Sequence, residues 1–194
     1  MLSLVAGYAG SGKSEFSRFL SSVTGWALLD KDSLTCALAE RLLTSLGGDP
    51  HDRHTDLYLR EVRPLEYQCL LESAFDNLRA GTSVILTAPF VAELADPEWT
   101  SGLNKRCAAI GIDVAVLWVR CDNESMRAHI ERRGAARDAW KLANWDTYAR
   151  GLDSDNGPAT AHIGIDNRQG TAIDLIRQAR ESLRSMQGRL NVRS

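Results

Sequence analysis

Eight residues near the N-terminus, Gly7-Tyr8-Ala9-Gly10-Ser11-Gly12-Lys13-Ser14, fill the pattern G-x-x-x-x-G-K-S/T without a mismatch. Glycines at this spacing let successive backbone N–H groups turn inward as an anion nest. A lysine there reaches the β- and γ-phosphates of a nucleotide, and the Ser14 hydroxyl is placed to ligate Mg²⁺. Two acids follow in Asp30-Lys31-Asp32. One of them, Asp32 in the first place and Asp30 in the second, is a candidate base that takes a proton from a hydroxyl attacking the γ-phosphate. Asp32 is equally suited to capping the next helix. Arg133 and Arg137 flank Gly134-Ala135-Ala136, an arrangement that suits a lid whose arginines neutralise a transferring phosphoryl group.

Periodicity supplies the elements that must position these groups. Leu2 to Ala6 reads as a buried strand running into the glycines, and Phe16, Phe19, Leu20 and Val23 mark one face of the helix after Lys13. Trp26 to Leu29 reads as a second strand, so that the acids stand at its carboxyl end, where chemistry collects in open parallel sheets. Leu34, Leu38 and Leu42 continue as a helical stripe. The polar stretch from Gly47 to Asp56 reads as exposed loop, in preference to a metal site built on His51 and His54. Arg60 and Arg63 precede a helix start at Pro64 and either face an acceptor or pair with Glu61 and Glu66. Thr82 to Thr87 and Val114 to Val119 read as the third and fourth strands. After the third, the Ala88-Pro89-Phe90 turn either sets an aromatic wall against the acceptor or joins the core, and Glu93, Asp96 and Glu98 read as loop. Asp122 and Ser125 start a helix that Gly134 ends. Trp140, Trp145 and Tyr148 stack on a ring or pack the lid on itself. Asp153 to Pro158 reads as loop, and His162 to Ile165 as a fifth strand. Asp166 and Asn167 at its end either touch adenine or form a turn. A last amphipathic helix carries Leu175, Ala179 and Met186, with fraying expected from Asn191 to Ser194.

The chain has 194 residues and a formal charge of −2, with a pI near 6.1. That length suits one domain with a sizeable core, and that charge gives no general attraction to nucleic acid or to acidic membranes. The four cysteines are scattered without a C-x-x-C pair and are expected reduced and mostly buried. The start has no basic leader or long apolar run, so a soluble, cytoplasmic protein is expected.

On the phosphate loop, on Asp32 after the second strand and on the Arg-Gly-Ala-Ala-Arg-Asp segment, the chain resembles a small P-loop kinase of the adenylate/gluconate-kinase fold group. The likeness covers roughly residues 1 to 170 and is strongest to the zeta-toxin and chloramphenicol-phosphotransferase-like kinases, often grouped with AAA-family ATPases. The resemblance implies a three-layer α/β P-loop NTPase fold. Its five-stranded parallel sheet has the order 2-3-1-4-5, with helices on both faces, a small helical lid at about 127–150 and an acceptor-binding helical region at about 33–71. It implies ATP with Mg²⁺, Asp32 as base, and Lys13, Arg133 and Arg137 as phosphate ligands. From the residues themselves, the candidate nucleotide-binding set is Tyr8 through Ser14 with Asp166 and Asn167, and the candidate acceptor-binding set is Asp30, Arg60, Arg63 and Phe90. One departure stands out: many relatives carry an Asp where the third strand here ends in Thr87. The expected function is transfer of the γ-phosphate of Mg-ATP to a hydroxyl of a small molecule, a metabolite or an antibiotic, by a monomer or homodimer with no nucleic acid or membrane partner. A nucleotide kinase with a phosphate acceptor and a nucleotide-binding regulatory switch remain as alternatives.

Overall fold

A computed structural model describes residues 1–152 and 157–191; most of the expected 153–158 loop and the expected fraying at 192–194 lie outside the described residues. Five strands, β1 (Leu2–Ala6), β2 (Ala27–Asp30), β3 (Val84–Thr87), β4 (Val114–Arg120) and β5 (Ile163–Asp166), form one sheet. All pairings are parallel and the order is β2-β3-β1-β4-β5, as the sequence resemblance implies. The helices are α1 (Lys13–Thr24), α2 (Lys31–Ser45), α3 (Arg63–Arg79), α4 (Val91–Ala95), α5 (Pro97–Ala108), α6 (Asn123–Arg133), α7 (Ala139–Ala143), α8 (Trp145–Arg150) and α9 (Leu175–Asn191).

Because side chains alternate across a strand, the central strands supply two cores. Leu2, Leu4, Leu86 and Val84 meet α3 and α5 through Leu70, Phe75 and Cys107. Val5, Ile85, Leu117 and Val119 meet α1 and α9 through Phe16, Leu20, Ala179 and Met186. Phe16 and Phe75 are almost fully buried, and truncating either to Ala would cost about 3–5 kcal/mol. With both faces covered, the carboxyl ends of the parallel strands lie along one edge, where β1 leads into the glycine loop and β2 ends at the paired acids.

Four expectations change. First, Asp30 rather than Asp32 caps α2: its backbone is extended and its carboxylate accepts from the N–H groups of Asp32 and Ser33. Second, the Leu34–Leu38 stripe faces outward, at 41% and 69% exposure. The inward face of α2 is Lys31, Thr35, Ala39 and Leu43, because a buried carboxylate from α3 draws Lys31 in. Third, Glu93 lies in α4 rather than in a loop and is buried against Arg63. Fourth, the thiols divide evenly: Cys107 and Cys121 are buried, Cys36 is half-buried and Cys69 is exposed. Before α3 the chain makes a π-helical turn at Tyr58–Val62, where Arg63 N–H donates to the Tyr58 carbonyl. Pro64, which has no N–H to offer Arg60, makes that widening cheap. No helix among the described residues is long and apolar enough to cross a membrane.

Candidate active site

The phosphate loop is shaped by glycines that cannot be replaced. Gly7, Gly10 and Gly12 have φ of 142°, 80° and 94°, values that favour glycine. A Cβ at Gly7 would strike the Val119 carbonyl, at Gly10 the Met126 carbonyl, and at Gly12 the Asn167 side chain. The loop is pinned from two sides, by His129 Nδ1 at 2.8 Å from the Gly10 carbonyl and by Asn167 Nδ2 donating to the Ser11 carbonyl at 3.0 Å. No side chain caps the first turn of α1, and the Ser11 hydroxyl is buried without a partner. Among the described residues Lys13 Nζ donates only to the Tyr8 carbonyl, at 2.6 Å. Burial, reinforced by the nearby Arg133, holds the Lys13 amine down at about 8 against the opposing pull of Asp32 and Asp30. Free helix N–H groups, an orphaned hydroxyl and a poorly hydrated lysine together fit a polyphosphate. Ser14 Oγ lies 3.2 Å from Asp30 Oδ2, and this hydroxyl–carboxylate pair is hard-oxygen chemistry that fits Mg²⁺. Among the described residues no cluster of three or more metal-ligating side chains exists, so nucleotide phosphates would have to complete the shell.

From the loop a cavity of about 500 Å³ runs past Asp30 and Asp32 to Tyr58, Arg63 and Tyr67. Asp32 is gripped from both sides, by Lys31 Nζ at 3.0 Å and by Arg137 of the α6–α7 segment at 3.0 Å. Burial alone would raise its pKa, but these cations hold it at about 2. Lys31 is 5% exposed and Glu66 of α3 is 3% exposed; they pair at 2.9 Å. Glu66 also accepts from Thr35 at 2.8 Å and from the Tyr58 hydroxyl at 2.7 Å. This network ties the first turn of α2 to α3 and sets the direction of Asp32. Above the cavity, buried Asp138 holds Arg133 at 2.5 Å and Lys141 at 2.9 Å. Trp140 stacks on His54 with ring centroids 4.2 Å apart, joining α7 to the loop before α3. Tyr148 and Ala9 both line the cavity.

Tyr8, Ala9, Lys13, Ser14, Asp30, Asp32, Arg63, Arg133 and Arg137 therefore share one cavity. Arg60 does not join them: it points to solvent and pairs with Asp56 at 3.3 Å. Phe90 is fully buried, edge-on to Tyr67, and belongs to the core. Arg63 pairs with Glu93, not with Glu66, and lies over the Tyr67 ring. Asn167 reaches the loop, whereas the Asp166 carboxylate is engaged by Arg168, which with Arg120 holds it at about 2. Thr87 is buried and its hydroxyl is bonded to Ser17. Sequence reading missed Lys31, Glu66, Tyr58 and Asp138. Only Lys31 left a signal, as a lysine wedged between two acids at a strand end.

A family model described as AAA domain matches residues 2–154. No curated protein matches the sequence. Among solved structures, a protein from Chloroflexus aurantiacus J-10-fl with a provisional kinase designation is 21% identical with a TM-score of 0.65, covering 94% of this chain and 96% of that one. A gluconokinase from Sinorhizobium meliloti 1021 is 16% identical with a TM-score of 0.60, covering 100% and 96%. The APS kinase of Mycobacterium tuberculosis, solved with AMPPNP and APS, is 16% identical with a TM-score of 0.54, covering 96% of each chain. At these identities the likeness is one of fold.

Proposed function

The chain belongs to the AAA domain family, and on that premise we propose that it is an ATP-dependent phosphotransferase acting on a hydroxyl of a small molecule. One observation carries the reading: Asp32, ionised and clamped by Lys31 and Arg137, opens into the same cavity as Lys13 and Ser14. The cavity thus offers a phosphate cradle at one end and an oriented hydrogen-bond acceptor beside it.

In this reading the amides of residues 10–14 and the Lys13 amine hold the polyphosphate of ATP. The pair Ser14–Asp30 would hold Mg²⁺, which when bound neutralises charge on the β- and γ-phosphates. Asp32 receives the acceptor hydroxyl's hydrogen bond and aims its oxygen at the γ-phosphorus. A carboxylate held at about 2 is a poor proton sink at neutral pH, so Asp32 orients first and takes the proton late, as the P–O bond forms. Phosphoryl transfer is mostly positioning and electrostatics, and such a weak base suffices. Arg133, held by Asp138, and Arg137, held by Asp32, bring positive charge over the transferring group and exclude water. The likeness to zeta-toxin and chloramphenicol-phosphotransferase-like kinases rests on the phosphate loop, on Asp32 and on this lid.

Thr87, bonded to Ser17 at a place where the family resemblance implies an Asp in many relatives, favours the second reading, a nucleotide-binding switch with slow turnover. Incubation with Mg-ATP and pools of hydroxyl compounds separates the two. A kinase releases ADP in proportion to an added acceptor and yields a phosphorylated product by mass spectrometry. A switch binds Mg-ATP with no acceptor-dependent release from any pool.

A further inference from the structure

Seven cations line the cavity: Lys13, Lys31, Arg53, Arg63, Arg133, Arg137 and Lys141. Five have a carboxylate within salt-bridge distance: Glu66 and Asp32 for Lys31, Glu93 for Arg63, Asp138 for Arg133 and Lys141, and Asp32 for Arg137. Among the described residues, Lys13 and Arg53 have none. Lys13 is accounted for by nucleotide phosphate; Arg53, which meets α2 at Cys36, is not.

Arg53 is already positioned. Its Nη1 donates to the carbonyls of Pro50 at 3.0 Å and Asp52 at 2.6 Å, and its guanidinium lies 5.2 Å from the Tyr58 ring centre. The Nε–Nη2 edge is different: among the described residues Nε is buried with no partner, and Nη2 meets only the Cys36 thiol at 3.8 Å. Thiol sulfur is a weak acceptor, whereas a carboxylate or phosphate takes two parallel N–H bonds from such an edge. A buried guanidinium Nε left without an acceptor is costly unless a ligand completes it. Cys36 lies one turn of α2 beyond Asp32 and also meets Arg137 at 4.0 Å, so Arg53 reaches α2 one helical turn, roughly 5–6 Å, along from Asp32.

We propose that the acceptor is a compact anionic hydroxyl compound, a hydroxy acid or a phosphorylated alcohol, whose negative group binds the Nε–Nη2 edge of Arg53 while its hydroxyl lies at Asp32. This rests on the kinase reading above and adds the class of acceptor.

Calorimetric titration of the protein, with and without Mg-AMPPNP, using glycerate, glycerol 3-phosphate and glycerol tests it. At least one anion should bind about tenfold or more tightly than glycerol, as expected for one added charge-assisted bidentate pair. Arg53→Gln should abolish that preference without changing Mg-AMPPNP affinity, and Arg53→Lys should keep part of it, since a point charge lacks the fork. Glycerate preferred over glycerol 3-phosphate identifies a carboxylate acceptor, and the reverse a phosphate one. Anion binding that never saturates, equal binding of glycerol, or a preference that survives in Arg53→Gln overturns the proposal. Should Arg53→Gln melt early, Arg53→Lys alone decides, with an unchanged preference counting against the assignment. Failure of Mg-AMPPNP to bind would instead sink the kinase reading, while the nucleotide-free titrations still report on Arg53.

Discussion

The two ends of the cavity are built in opposite ways. At the phosphate loop the ligand-facing groups are mainly backbone amides, supplied by one contiguous stretch whose glycines keep side chains out of the way. At the proposed acceptor end they are side chains from α2, the 47–58 segment, α3 and the α6–α7 segment, nearly every charge interlocked with another. Amides at a helix start read any phosphate chain, so that end is generic and tolerant of its surroundings. The acceptor end depends on distant partners staying in place, and its specificity and its fragility have the same source.

The sharpest way to break this contrast is to disable one end and read the other. Lys13→Met should lower turnover about 10³-fold, with much of the loss in nucleotide affinity. Asp32→Asn should lower acceptor-dependent turnover by a similar factor, about 10²–10⁴, while the Kd for Mg-AMPPNP moves less than about threefold. If Asp32→Asn cost nucleotide binding as heavily as turnover, the two ends would not be separable and Asp32 would belong to the phosphate site.

Fragility should show next, in stability. Glu66→Leu leaves Lys31 buried without its main counterion and strips the acceptors from Tyr58 and Thr35. A loss of about 3–5 kcal/mol in denaturant melts is expected. Adding Lys31→Met in the Glu66→Leu background should restore a large part of that loss, because the uncompensated charge goes with it. A single-variant cost below about 1 kcal/mol would mean that the network is hydrated and does not position Asp32.

The same contrast explains what could be read from the sequence. A phosphate cradle needs a short run of glycines, a lysine and a serine, so Gly7 to Ser14 stood out as a candidate by spacing alone, and short, largely apolar runs marked the five strands. The α2 stripe misled because Leu34 and Leu38 have helical spacing yet face solvent. What turns that helix inward is a Lys31–Glu66 pair between residues 35 positions apart, which no local pattern encodes. Arg60 and Arg63 were indistinguishable as types and separate only once the turn before Pro64 sends one outward and the other over Tyr67. Phe90 likewise shows its core role only when β3 brings it against Tyr67 and Trp99.

A smaller effect distinguishes the two ends by pH. In the nucleotide-free protein burial keeps Lys13 at about 8, below its ordinary 10.5, and a bound polyphosphate must raise it. Above about pH 8, therefore, the free protein has lost a proton that the complex retains. Binding takes that proton up, and the Kd rises by at most about tenfold per pH unit; below about 8 it should be flat. Asp32, held at about 2, stays ionised throughout, so acceptor binding should not follow this change. Calorimetry from pH 7 to 9.5 in buffers of differing ionisation enthalpy would show proton uptake for Mg-AMPPNP alone. A Kd that stays level through pH 9.5 would mean that Lys13 keeps its ordinary basicity and that the loop is wetter than its packing suggests.

The smallest expected effect is the control that the contrast needs. Arg60 and Arg63 sit three residues apart beside the same proline, but Arg60 is 75% exposed and paired with an equally exposed Asp56. Exposed pairs four residues apart contribute about 0.3–0.5 kcal/mol and are screened by salt. Arg60→Ala should therefore leave nucleotide affinity, anion affinity and turnover within about twofold of the parent. Arg63→Ala, by contrast, frees the buried Glu93 carboxylate and uncovers the Tyr67 ring, and should weaken acceptor binding and stability together. A large loss of anion affinity in Arg60→Ala would bring the outward turn of the helix into the acceptor site. The anion would then be read by a flexible surface arginine rather than by Arg53, which Tyr58 and two carbonyls already hold in place.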